Sequence, residues 1–126
     1  MSNQPQKRTV IHLDPYKKRR DQMFDLLHKE GFSVVSLPSL YNKSLEDVDG
    51  TESEPLIFLV ALSTDTSKIA SGAHAFNKIN DETEHHLIIA YATVNLEARA
   101  RESGAKQFVL LEGDLSVLVN AVKQWT

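Results

Sequence analysis

Five short apolar runs alternate with segments of helical apolar spacing, and that alternation leaves few folds open to this chain. Residues 9–14 (TVIHLD) are β-branched and apolar and are bounded by Pro15, which predicts a mostly buried strand. Residues 16–30 carry apolar side chains at 16, 23, 24, 26 and 27 ahead of Gly31, a residue that accepts the left-handed conformation at a helix end. Residues 32–37 (FSVVSL) form a second strand pattern, stopped by Pro38, and Tyr41, Leu45 and Val48 predict a short helix over 39–48. After the loop DGTESEP come residues 56–62 (LIFLVAL), too short for a buried helix and rich in branched residues, hence a central strand covered on both faces. Ile69, Ala73, Phe76 and Ile79 make one stripe of a helix over 67–79. Residues 87–92 (LIIAYA) repeat the doubly buried strand pattern, and residues 95–103 read as a helix with a Glu97/Arg101 pair before Gly104. Residues 108–111 and 115–125 supply the fifth strand and last helix, with Leu115, Leu118, Val119 and Val122 inward. A βα unit repeated five times implies a parallel sheet with helices on both faces, and function at the carboxyl ends of the strands.

The 126 residues suffice for one core, and the reading divides them into a loose tail over 1–8 and a domain over 9–126. The absence of cysteine excludes a disulfide scaffold, thiolate-held metal and a thiol nucleophile. No apolar run approaches the ~20 residues of a membrane helix, and the first residues lack the apolar region of a secretory signal, so a cytoplasmic protein without membrane insertion is expected. A net charge of −3 argues against nucleic acid as a partner of this domain alone. Charge is nonetheless uneven. Lys17, Lys18, Arg19 and Arg20 form a basic patch at the start of the first helix, where they oppose the helix dipole and hint at an anionic partner. Glu46, Asp47, Asp49, Glu52 and Glu54 form an acidic run.

Two stretches resemble the receiver domains of bacterial response regulators. VIHLDPYKKRRDQMFDLLHKEGFSVVSL is similar to that family's first strand, acidic turn, first helix and second strand. HLIIAYATVNLEARARESGAKQFVLLEGDLSVLVNAV is similar to its fourth strand, the GA before an aromatic fifth strand, and its last helix. The resemblance spans about 9–125 and implies a flavodoxin-like five-stranded parallel sheet in the order 2-1-3-4-5. It also implies a phosphorylation pocket: two acids after the first strand and an aspartate after the third to hold Mg²⁺, that aspartate accepting the phosphoryl group, and a Thr or Ser and a Lys contacting the phosphate. Carried over position by position, the acidic pair matches Asp14 and Pro15, the acceptor falls at Val60 or Ala61, the Thr/Ser position at Tyr91 with Thr93 close by, and the Lys position at Leu111. The aromatic of the fifth strand, which follows the switch in such proteins, is kept as Phe108.

The pocket is therefore expected to be degraded, as in pseudo-receiver members, with no cofactor, no catalytic residue and no metal. The expected role is a phosphorylation-independent protein-interaction module in bacterial signal transduction. Two alternatives stay open: a working receiver with a displaced acceptor at Asp65, and a flavodoxin-like domain binding a small ligand. Asp14 reads first as a turn or helix-cap residue, and second as a vestige of cation binding. His12 is expected to be a packed, hydrogen-bonded core histidine, and the adjacent His85 and His86 point to opposite faces of a strand and chelate poorly. There is no GxGxxG, GxxxxGK[ST] or GxSxG motif. The family's contact face, comprising the helix over 95–103, the fifth strand and the last helix, predicts where protein partners or a second copy would bind. Val117, Ala121 and Trp125 form its apolar part, with Arg99 and Arg101 at the rim beside Lys123.

Overall fold

The computed structural model describes residues 9–39, 56–64, 76, 79–80 and 86–125. The expected tail over 1–8, the helix over 39–48 beyond its first residue, most of the helix over 67–79, the acidic run, Asp65 and His85 lie outside the described residues, as does the side chain of His86. Within them the elements run β1 (Thr9–Leu13), α1 (Lys17–Lys29), β2 (Ser33–Leu37), β3 (Leu56–Ala61), β4 (His86–Ala92), α2 (Glu97–Glu102), β5 (Gln107–Leu110) and α3 (Ser116–Gln124). Phe76, Ile79 and Asn80 have helical backbone, in keeping with a helix between β3 and β4. Every strand pairing is parallel, and the sheet order is β2-β1-β3-β4-β5.

Strand alternation sorts the side chains into two apolar layers. Ile11, Leu13, Phe58, Val60, Ile88 and Ala90 face one side, where Phe76, Ile79 and Ala100 cover them. Val10, Leu59, Ala61, Ile89 and Tyr91 face the other, against Met23 and Leu27 of α1 and Leu118, Val119, Ala121 and Val122 of α3. The continuous apolar runs of β3 and β4 thus reflect burial on both faces. Glycine ends α1 and α2: Gly31 (φ 93°) and Gly104 (φ 113°) adopt the left-handed region that a side chain resists. Boundaries differ from the sequence reading by one or two residues. β1 stops at Leu13, yet the Asp14 N–H still donates to the Leu37 carbonyl (3.1 Å), so Asp14 is held at the sheet's carboxyl end.

The last helix corrects one expectation. Ala121 does not share an outward stripe with Val117; it is 3% exposed and packs in the core, whereas Val117 is 39% exposed. On a helix Ala121 lies about 60° to the Leu118 side of the arc formed by Leu118, Val122 and Val119, close enough to be drawn into the core, and Val117 lies about 40° farther out.

Candidate functional site

The carboxyl end of β1 carries a buried polar cluster built from three elements. His12 and Asp14 alternate onto the face covered by α1 and α3, and both are 0% exposed. Tyr91 comes from β4, on the far side of β3, also at 0% exposure. Strands two places apart are about 10 Å apart, a distance that a tyrosine ring crosses only over a small residue. Ala61, the register partner of Tyr91 on β3, is that residue. The Tyr91 hydroxyl donates to Asp14 Oδ2 (2.5 Å) and lies 2.6 Å from His12 Nε2. Its one proton is committed to the carboxylate, so the Nε2–H of a neutral His12 donates to the tyrosine oxygen. His12 Nδ1 is then a bare acceptor, and among the described residues it has no hydrogen-bond partner; neither has the Oγ of Ser36, its register neighbour on β2.

Asp14 is held from the helix side as well. Pro15 turns the chain and the Tyr16 N–H donates to Asp14 Oδ1 (2.9 Å), closing a local turn. Asp14 is not the helix cap, because the N-cap residue of α1 is Tyr16, without a side-chain cap bond. Arg19, in the first turn of α1, reaches back with Nε on Oδ2 (2.5 Å) and an Nη on Oδ1 (3.1 Å), a two-pronged ion pair. Its guanidinium also lies over the rings of Tyr16 (4.8 Å) and Tyr91 (5.3 Å). Arg20 donates to the Asp14 carbonyl (2.8 Å), and Lys17 pairs with Asp21 one turn on. The expected basic patch at 17–20 is therefore not a single outward face: two of its four cations are turned onto Asp14.

Titration behaviour follows from burial and charge. Burial lowers the His12 pKa to about 4; the Asp14 charge resists this, and Arg19 and Arg20 add to it. At 3.8 Å from Asp14, His12 is consequently a neutral dipole and not a salt-bridge partner at neutral pH. Burial, then the Asp14 charge and hydrogen bond, pushes the Tyr91 hydroxyl well above its ordinary value, against the pull of Arg19. Burial works against the Arg19 charge, but the Asp14 hydrogen bond and charge outweigh it and raise the pKa.

No family model matches the sequence, and no curated protein matches it. Solved structures do. The response regulator TrrA of Thermotoga maritima, crystallised with Mg²⁺ and beryllofluoride, superimposes with a TM-score of 0.69 at 15% identity, over 94% of this chain and 99% of that one. The chemotaxis protein CheY4 of Vibrio cholerae gives 0.72 at 10% identity, over 94% and 98%. HP1043, an orphan response regulator of H. pylori, gives 0.69 at 13%, over 96% and 98%. The chain has the flavodoxin-like receiver fold.

Positions that this fold makes notable are occupied as follows. Asp14 follows β1 and the exposed Pro15 stands beside it. At the end of β3, Ala61 faces the Asp14 side and Val60 the opposite layer, and neither bears a carboxylate. Tyr91 and Leu111 are core residues, 0% and 5% exposed, and Thr93 is exposed beyond β4. Phe108 is half-buried against the opposite layer. Lys18, Arg19, Thr93, Leu111 and Leu115 line an open groove of about 460 Å³ between α1 and the loop after β5. Arg99 donates to the Ser63 carbonyl (3.0 Å), and Arg101 pairs with Glu97 on α2 (2.9 Å). Trp125 donates from Nε1 to Gln107 Oε1 (2.8 Å), tying the end of α3 to β5.

A receiver fold implies Mg²⁺, and the described residues do not fit it. Mg²⁺ asks for near-octahedral oxygen ligation. Here both carboxylate oxygens of Asp14 are already bonded, and no group of three His, Asp or Glu among the described residues is placed to hold a metal. No helix among the described residues is long and apolar enough to cross a membrane. The inward turn of Arg19 and the partnership of Tyr91 with His12 were missed from sequence. The available signals were the position of Arg19 three residues into the helix, from which a side chain reaches back over the N-terminus, and two polar residues in otherwise apolar strands, which need partners once buried.

Proposed function

We propose that this chain is a receiver-fold protein-interaction module of bacterial two-component signalling that works without phosphoryl transfer. The observation that carries the reading is Ala61. A receiver of the reactive kind needs a nucleophilic carboxylate at the end of the third strand, and in this reading that place falls at Ala61, the register partner of Tyr91, or at the neighbouring Val60, neither of which bears a carboxylate. Leu111, at the position expected for a lysine, supplies no charge to offset a phosphate. In this reading the module runs no reaction of its own and signals by what it binds. Its contact surface is the outer edge of α3 and β5, where Leu110, Val117 and Trp125 are each about 40% exposed.

The test is intact-mass analysis after incubation with acetyl phosphate and Mg²⁺, with peptide mapping of any adduct. The mass is expected to stay unchanged. A phosphoryl adduct on Asp65 that hydroxylamine removes, as an acyl phosphate requires, would establish the displaced-acceptor alternative instead.

A further inference from the structure

We infer that Arg19 is a built-in cation, taking over on Asp14 the charge-neutralising work that the receiver fold assigns to a divalent metal and leaving this corner of the protein unresponsive to metal. The argument is one of lone pairs. A carboxylate offers about four lone-pair sites. Asp14 Oδ1 accepts from the Tyr16 N–H and an Arg19 Nη, and Oδ2 accepts from Arg19 Nε and the Tyr91 hydroxyl, so all four are filled. The remaining oxygen of the residue, its carbonyl, accepts from Arg20. A metal ion approaching Asp14 would have to displace donors supplied by Tyr16, Arg19 and Tyr91.

Charge leads to the same result. Asp14 is 0% exposed, and a carboxylate so placed requires a counter-ion. The Arg19 side chain, 19% exposed, supplies one positive charge in the fork geometry that suits a carboxylate. A divalent ion added to that pair would leave two excess charges there, with Arg20 near by and no group of three His, Asp or Glu among the described residues placed to share the ion. His12 and Tyr91, both uncharged at neutral pH, offer no compensation. The pair is held in place by its neighbours: the guanidinium lies over the Tyr16 and Tyr91 rings, and Tyr91 is fixed in turn by His12.

This deepens the reading of a phosphorylation-independent module, yet the two fail separately. A phosphoryl adduct at Asp65 would overturn that reading, whereas the present inference is decided by metal alone. In ¹H–¹⁵N NMR spectra, Mn²⁺ added to the wild-type protein should leave the amide signals of His12, Asp14, Arg19, Ala61 and Tyr91 as intense as those of the rest of the sheet. Selective broadening of those signals would overturn the inference. Arg19→Ala should lower Tm by on the order of 10 °C or more, because it leaves a buried charge unpaired. Saturating Mg²⁺ should recover part of that loss relative to EDTA, while the Tm of wild type and of Arg19→Lys stays the same in Mg²⁺ and EDTA. An Arg19→Ala protein as stable as wild type would show that the guanidinium does no such work. Should that variant fail to fold, Arg19→Lys decides: a Tm that rises with Mg²⁺ in this charge-conserving variant overturns the inference, and an unchanged one supports it.

Discussion

His12 is the residue whose chemistry most directly ties the buried cluster to stability. Its pKa is lowered from 6.5 to about 4, mainly by burial, so between those values the unfolded chain binds a proton that the folded chain refuses. Stability therefore rises with pH across that window; the contribution is whole above pH 6.5 and is lost as pH falls toward 4. The charged and titratable groups facing His12 are Asp14, Tyr91, Arg19 and Arg20. Other ionisable groups also titrate there, so the measurement is a difference. Thermal unfolding of wild type should fall more steeply than that of His12→Gln between about pH 7 and pH 4, and parallel curves would exclude His12 as the source. The sequence marked both His12 and Asp14, since polar residues in an apolar strand and at its end stand out. It could not reveal Tyr91 as their partner, because that contact depends on β4 lying two strands away and on Ala61 leaving room between them.

Element boundaries were legible because each rests on local chemistry: branched apolar runs for strands, 3.6-residue spacing for helices, and Gly31 and Gly104 at helix ends. Which residues of a helix reach the core is less local, since it depends on how the helix lies against the sheet. α3 shows the difference. Leu118, Val119 and Val122 were evident from spacing, but Ala121 reads as outward until the helix is seated on β4 and β5. The two positions should respond oppositely to the same change. Ala121→Glu puts a carboxylate and extra volume into a packed, unpaired site and should cost more than about 3 kcal/mol in urea unfolding. Val117→Glu meets solvent and should alter stability by less than about 0.5 kcal/mol. Equal losses at both positions would mean that α3 is rotated from the orientation described here.

At the scale of the whole molecule, the five-unit alternation already dictated a parallel doubly covered sheet, and the order β2-β1-β3-β4-β5 leaves β2 and β5 as its edges. The β5 edge adjoins exposed apolar side chains, Leu110 on the strand and Val117 and Trp125 on α3, and the Trp125–Gln107 bond holds helix and strand together as one surface. An exposed strand edge flanked by large apolar groups is a surface that proteins ordinarily cover. A second copy of the chain is the occupant that can be tested without knowing any partner. A stable dimer would bury about 800 Å² on each copy, which requires the face of α3 as well as the strand. Sedimentation velocity over a rising concentration series should then show a shift from monomer to dimer, and Val117→Glu should remain monomeric with its Tm retained. Trp125 is the sole tryptophan, so its emission should move to shorter wavelength as wild type associates and stay fixed in the variant. A wild-type protein that sediments as a monomer throughout, with constant Trp125 emission, would exclude self-association and reserve this surface for a different protein.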